Sequence, residues 1–496
     1  MDADPNDALD VDVLIVGAGL SGIGAASYLR RRCPQQRVAI VEARERLGGT
    51  WDLFRYPGVR SDSDMHTLGY AFRPWTGEKS IAGGAEILRY LQDTAREEGV
   101  APLIRYGHRV REASWSSREA RWTVAIDRAG DAGELQLRCR FLLLCTGYYD
   151  YDAGYTPEFT GREAFAGRIV HPQHWPEDFD AGGKQVVVIG SGATAVTLVP
   201  ALAAQAAHVT LLQRSPTYMA VRPSVDASAN WLRRRLGARL AHGLNRWRSL
   251  LFGMYVYRTC MRRPQRARAF LIGMVRQQLA PGYDVAKHFA PRYKPWEQRL
   301  CLVPDGDLFK GIREGRVSMV TDEVDHFTRN GIDLRSGTHL SADIVVTATG
   351  LTLKPLGALK LAVDGRAIEP SSLVYYKGVM FGGVPNLATV IGYVNASWTL
   401  KSDLASIFVC RLLQHMRREG YAQCTPRVDE RANATTRPSW VALSSGYLQR
   451  AQAQLPRQGQ ARPWQLNQNY LADWVQLRWA RLADGVMQFS SQPAKV

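Results

Sequence analysis

Runs of apolar residues bounded by glycine divide this chain into two copies of one local pattern. Val11 to Val16 reads as a buried strand, Gly17 to Gly22 as a tight loop, Ser21 to Arg32 as a helix and Arg37 to Val41 as a second strand. Lys184 to Ile189 repeats the strand, Gly190 to Ala195 the loop, and Val209 to Leu212 the next strand. Short apolar strands alternating with helices predict parallel sheets covered on their faces. Further strands are expected at Glu112 to Ile126, Phe141 to Leu144 and Ile344 to Val346, the last two running into Thr146-Gly147 and Thr349-Gly350. The predicted fold class is α/β, with two Rossmann-like dinucleotide-binding domains, the second inserted in the first. Residues 1–150 begin the first domain and 151–345 form the second, with a helical excursion over about 225–295; residues 346–496 return to the first.

Each small residue in the loops has a separate job. Gly17 makes the tight turn, Gly19 lets the backbone approach a pyrophosphate, and Gly22 lets the helix pack closely on the strand. The helix opening at Ser21 points its N-terminal amides and positive end at the phosphates. Glu42 closes the second strand about 20 residues after Gly22, where a carboxylate accepts hydrogen bonds from ribose hydroxyls. The second loop reads Gly190, Ser191, Gly192, Ala193, Thr194 and Ala195, with Ala195 in the third small position. Gln213 stands where Glu42 stands in the first unit, and Arg214 follows it. An acid there repels a 2′-phosphate, whereas a neutral residue followed by a guanidinium pairs with one. The second site therefore predicts NADPH rather than NADH.

The 496 residues are 46% hydrophobic and 22% charged, ordinary for a globular protein of two to three domains. The seven cysteines are scattered and never in C-x-x-C spacing, against a disulfide framework, a zinc site or a dithiol redox centre. No metal site is expected. No apolar run reaches the ~18 residues that span a bilayer, and Met1 to Asp12 holds five aspartates and no base, the reverse of a secretory leader. These features predict a cytoplasmic protein. The net charge of +17 traces mostly to Asn230–Leu279, with twelve arginines, no acid, and interleaved Trp231, Trp247, Phe252, Tyr255 and Tyr257. Two readings stand: a helical excursion with a solvated basic face, and peripheral contact with an anionic membrane through residues 230–279. Nucleic acid is not an expected partner, since no nucleic-acid fold signature accompanies the charge.

Between the two loops lie Phe165, Gly167, His171, Trp175 and Pro176, spaced F-x-G-x-x-x-H-x-x-x-W-P. The string resembles the fingerprint of Baeyer–Villiger monooxygenases. Gly48-Gly49-Thr50-Trp51-Asp52-Leu53, and Tyr56-Pro57-Gly58 followed by Arg60 and Asp62, resemble that family's G-G-T-W and Y-P-G-x-x-x-D segments. Trp296 to Asp307 resembles the segment holding its essential arginine, matched by Arg299. Over the whole chain the wording is closest to the ethionamide-activating group.

The resemblance implies FAD in the first site. Thr50 and Trp51 would run beside the ribityl chain with Asp52, Leu53 and Arg60 close by, Asp62 near the reactive ring, and the backbone of Val110 at the adenine. It implies NADPH and O₂ as co-substrates, and a flavin C4a-peroxide that converts ketones to esters or lactones and sulfoxidises thioethers or thiocarbonyls. Arg299 would stabilise the peroxyanion, because a guanidinium never loses its charge. Asp62 would position Arg299, and His171 would couple NADPH binding to domain arrangement. Gln298 departs from relatives that carry a lysine for the 2′-phosphate, which leaves Arg214 more isolated. Trp398 and Asn395 fall in a segment resembling one that reaches the flavin pyrimidine edge; pocket and core placements both stand for Trp398. The rival readings are a flavin N- or S-monooxygenase and a membrane-recruited flavoprotein without ketone oxidation.

Overall fold

The computed structural model describes residues 10–130, 133–298, 300–428, 436–438 and 445–491. The strand Asp10–Val16 is the centre of the first sheet, parallel to Val38–Val41 on one side and to Glu134–Leu144 on the other. Val13 and Ile15 enter one core while Leu14 and Val16 enter another, as a period of two requires of a strand covered on both faces. The helices Leu20–Arg32 and Trp398–Glu419 supply the first of those faces.

The single strand expected over Glu112 to Ile126 is a hairpin. His108–Ser116 and Arg121–Arg128 run antiparallel with Trp115 opposite Trp122. The polar stretch Ser117-Arg118-Glu119 reverses the chain, and Ala120 adopts a φ of 49° to close the turn.

A second sheet lies in the inserted region. Its order is Val317–Thr321, His208–Gln213, Gln185–Ile189, Ile344–Thr347 and Arg168–Val170, all parallel. The chain then rejoins the first sheet, where Lys360–Val363 pairs with His108–Ser116 and Leu387–Thr389 with Glu134–Leu144.

Two strands join the sheets. Tyr149–Gly154 leaves the first domain, Leu351–Leu353 returns, and the two pair antiparallel. Tyr155 N–H donates to the Gly350 carbonyl at 3.1 Å and Lys354 N–H to that of Tyr148 at 2.9 Å, which extends the pairing at both ends. Lys354 Nζ also holds Asp150 and Asp152 at 3.2 and 3.1 Å.

The helical excursion comprises Ala227–Arg262, broken at Gly237 where φ is 75°, then Pro264–Arg276 and Val285–Phe289. The long helix rests on the first domain: His242 Nε2 lies 3.0 Å from the Tyr70 carbonyl oxygen, and Arg246 donates to that of Gly69 at 2.7 Å. Among the described residues no helix is long and apolar enough to cross a membrane.

Candidate active site between the two nucleotide domains

The two glycine loops are built alike and face one cleft of about 1260 Å³. Gly17 has a φ of 104°, and a Cβ there would come within 2.6 Å of the Cys145 carbonyl oxygen. Gly190 has a φ of 147°, and a Cβ would collide with the Ala348 carbonyl oxygen. In each domain the loop glycine thus abuts the strand end that leads into Thr-Gly. Gly22 sits behind its loop, where any side chain would strike the Gly17 carbonyl, so helix and strand can close only on glycine.

Gly17, Gly19 and Ser21 line the cleft, as do Ser191, Gly192, Ala193 and Thr194 beside Gly190. The helices Leu20–Arg32 and Ala193–Leu202 start at these points and aim their amides at it. Ala195 is fully buried behind the second loop.

Glu42 lines the same cleft, and its carboxylate is braced by the backbone: it accepts from Ala18 N–H at 2.7 Å and Arg44 N–H at 3.0 Å. Burial pushes its carboxyl above the ordinary range, against the pull of those two amides. Thr50 and Trp51 face the cleft from the short helix Thr50–Leu53. Asp52 and Leu53 turn away. Asp52 is caged by Arg44 at 2.7 Å, Arg55 at 2.9 Å and Arg46 at 3.5 Å, while Leu53 packs on the core of the second domain. Their contribution is to hold the Thr50–Trp51 turn in place.

Arg60, Asp62 and Val110 also line the cleft. Arg60 crosses to the second domain and meets Asp307 at 2.5 Å, at the start of the helix Asp307–Arg313. Arg299 lies outside the described residues, and its neighbours Gln298 and Leu300 line the cleft.

In the second domain, Arg214 is exposed on the cleft wall and forms no ion pair among the described residues. Gln213 points away from it. Its Nε2 donates to the His288 carbonyl at 2.8 Å and to Thr321 Oγ1 at 2.9 Å. What Gln213 brings to the cleft is therefore the absence of an acid, since its amide is spent on tying two elements together.

His171 is not on the cleft wall. It sits against the linker pair, where a Cβ on Gly154 would run into its imidazole. Burial lowers its basicity, opposed in part by the backbone of Gly350 and Tyr155. The residues beside it clasp the outgoing linker strand: Gln173 Nε2 donates to the Asp150 carbonyl at 2.8 Å, and His174 Nε2 lies 3.1 Å from that of Asp152. Trp175 packs against the second-domain core and Phe179, with ring centroids 4.3 Å apart. The F-x-G-x-x-x-H-x-x-x-W-P string is thus the seat of the linker.

Trp398 lines the cleft, with its Nε1–H donated to Ser21 Oγ at 2.8 Å and its ring stacked on Tyr148 at 5.1 Å. Asn395 instead donates to the Gln468 carbonyl at 2.9 Å. Tyr148 has no signal in the sequence, because it meets Trp398 across a large chain separation; Asp307 lies in the Trp296–Asp307 segment, but its reach to Arg60 does not show there. Among the described residues no group of three His, Cys, Asp or Glu side chains is arranged to hold a metal ion. The donor set fits two dinucleotides: two loops turned on glycines that leave no room for a side chain, two helix starts, and a carboxylate at one strand end against a guanidinium at the other.

Residues 15–75 match the NAD(P)-binding Rossmann-like domain and residues 82–246 the flavin-binding monooxygenase-like family. Over 487 residues the chain is 50% identical to the FAD-containing monooxygenase EthA of Mycobacterium tuberculosis, covering 98% of this chain and 99% of that one. A solved steroid monooxygenase bound to NADP has a TM-score of 0.71 and 26% identity, over 86% of this chain and 89% of that one. A cyclohexanone monooxygenase structure shares the fold at a TM-score of 0.74 and 21% identity, over 97% of this chain and 100% of that one.

Proposed function

This chain belongs to the FAD-containing monooxygenases, and on that premise we propose that it oxidises ketones to esters or lactones by Baeyer–Villiger oxygenation. It is a flavoprotein monooxygenase that uses FAD and NADPH; FAD is assigned to the first domain and NADPH to the second. In the reaction, one atom of O₂ enters between the carbonyl carbon and the migrating carbon. The other leaves as water, with two electrons from NADPH and one further proton. Bound flavin supplies the chemistry that passes those electrons to O₂.

The protein's own residues then have distinct tasks. The Gly17 and Gly190 loops with their helix starts bind the two pyrophosphates. Glu42 holds the ribose end of one cofactor and Arg214 the 2′-phosphate of the other. Thr50, Trp51, Arg60 and Asp62 shape the wall that both loops share. Arg299 is assigned the cation that stabilises the negative charge developing on the ketone oxygen, and Asp62 the task of positioning it. Thioethers and thiocarbonyls are assigned as further substrates.

The observation that carries this reading is the seat of His171. The fingerprint grips the one pair of strands joining the two nucleotide domains among the described residues. A residue there responds to where the NADPH domain lies, which an oxygenase needs if hydride transfer and oxygen transfer are to follow in order. The test is anaerobic reduction by NADPH followed by ¹⁸O₂ with a panel of ketones and thioethers. Ester or lactone carrying one ¹⁸O is the expected product. Sulfoxide without any ester, or hydrogen peroxide alone, would overturn the ketone assignment.

A further inference from the structure

The helix Ala227–Arg262 is built inside out. Beyond its break at Gly237 the inward face carries Ala241, His242, Asn245, Arg246, Ser249, Leu250 and Cys260, all buried. Most of these are polar, and carbonyls and a carboxylate satisfy several of them: Tyr70 O faces His242, Ala229 O takes Asn245, and Gly69 O and Asp403 take Arg246. The outward face carries Leu240, Leu244, Trp247, Leu251 and Tyr255 at helical spacing, a single stripe along four turns. Leu240 is 68% exposed and Tyr255 67%. A surface helix of a globular protein has the opposite arrangement, apolar stripe inward and polar face in water.

The apolar surface continues onto a neighbour. The Trp247 ring lies 6.4 Å from that of Trp474, which lies 6.0 Å from that of Trp479 on the far side. Trp479 is 63% exposed. A patch of this kind on a soluble surface marks a contact.

The charge says with what. Arg234, Arg235, Arg239, Arg258, Arg262 and Arg266 are exposed on the same excursion and form no ion pair among the described residues. No acid occurs anywhere between Asn230 and Leu279. A second copy placed on this face by two-fold symmetry would set arginines against arginines. An anionic bilayer answers both features, with the acyl boundary receiving leucine and aromatic rings and the phosphates receiving the guanidinium groups.

We propose that the outward face of residues 238–262, with Trp479 beside it, is a peripheral membrane surface for anionic phospholipid. The helix lies along the interface rather than across it. The surface stands independently of which ketone the enzyme oxidises.

The test is flotation of the FAD-loaded enzyme with vesicles of phosphatidylglycerol and phosphatidylcholine, against pure phosphatidylcholine. The enzyme should rise with the anionic vesicles only, and less so as salt screens the charges. A triple change, Arg239→Gln with Arg258→Gln and Arg262→Gln, should weaken partition on the order of a hundredfold. Leu240→Ser with Leu244→Ser and Leu251→Ser should weaken it at least about tenfold. Both variants should keep FAD and oxidise NADPH as the parent does. No flotation with either vesicle, or equal flotation with both, would overturn the proposal whatever the variants do. So would a dimer in sedimentation that the leucine substitutions dissolve, which would assign the face to a contact between copies.

Discussion

Arg246 of the arginine-rich helix holds Asp403 of the helix Trp398–Glu419 at 2.7 Å, with both side chains buried. Arg246 also donates to the carbonyl oxygens of His66, Thr67 and Gly69, and Ala71 N–H donates to Asp403 at 3.0 Å. The pair clamps the excursion to the helix whose first residue, Trp398, reaches Ser21 in the cleft. Burial pushes the Asp403 carboxyl up to about 6, and the neighbouring guanidinium only partly opposes it.

Removing one partner should therefore cost more than removing both. Arg246→Met should lower stability by about 3–5 kcal/mol, because it strands a buried carboxylate, and adding Asp403→Leu should recover much of that. Thermal denaturation of the FAD-loaded enzyme reads both. The sign with pH follows from the raised carboxyl: its favourable contribution is complete below the ordinary aspartate range and is lost as pH rises through the folded value. Without Arg246 that value rises further. The stability gap between Arg246→Met and the parent should widen from about pH 5 to about pH 8. A gap that narrows would mean that Arg246 matters for packing rather than charge.

Arg214 stands on the cleft wall and has no ion-pair partner among the described residues, as a guanidinium held for an incoming anion would. Arg214→Glu should raise the KM for NADPH on the order of ten- to a hundredfold while leaving that for NADH nearly unchanged. Steady-state kinetics with both donors decide it, and parallel changes would remove Arg214 from 2′-phosphate recognition.

His171→Ala should retain FAD and still consume NADPH, with more of the electrons lost to hydrogen peroxide and fewer delivered to product. The ratio of ester to peroxide is the readout. Burial holds the imidazole below its ordinary value of 6.5, so it is neutral at pH 7. For a depressed histidine the native contribution is complete above 6.5 and fades only as pH falls through the folded value. Coupling in the parent should accordingly be flat above that pH. Unchanged coupling in His171→Ala would leave the histidine a packing residue under the linker.

Arg299→Ala should bind FAD and accept electrons from NADPH yet lose ketone oxidation by about 10² to 10³. Asp62→Ala should be milder, since it removes a partner of the cation and not the cation. Oxygen passes to sulfur as an electrophile and needs no fixed cation, so sulfoxidation should survive Arg299→Ala better than ester formation. Equal loss of both activities would assign Arg299 to hydride transfer or folding.

The parts of the site that are local in sequence were legible there. Strand, loop, helix and terminal residue lie within about thirty positions at Val11–Glu42 and again at Lys184–Arg214, and the physics that shapes them is equally local. Orientation was less accessible. Gln213 shares a strand end with Arg214, yet its amide turns to His288 because that carbonyl lies beneath it. Asp52 reads as part of a cofactor motif and is consumed by three arginines. The helix Ala227–Arg262 shows an apolar stripe in its sequence, but only the position of Asp403, far along the chain, decides that the polar face goes inward.

The linker pair has a mechanical consequence. The pair is held at Leu351–Gly154 and Leu353–Tyr149, with the outgoing strand bulged between them, so it resists stretching yet bends across its narrow width. It behaves as a strap hinge and not as a rope. A change in the angle between the two nucleotide domains would be taken up by bending here. His171, lodged beside Gly154, sits where a doorstop would.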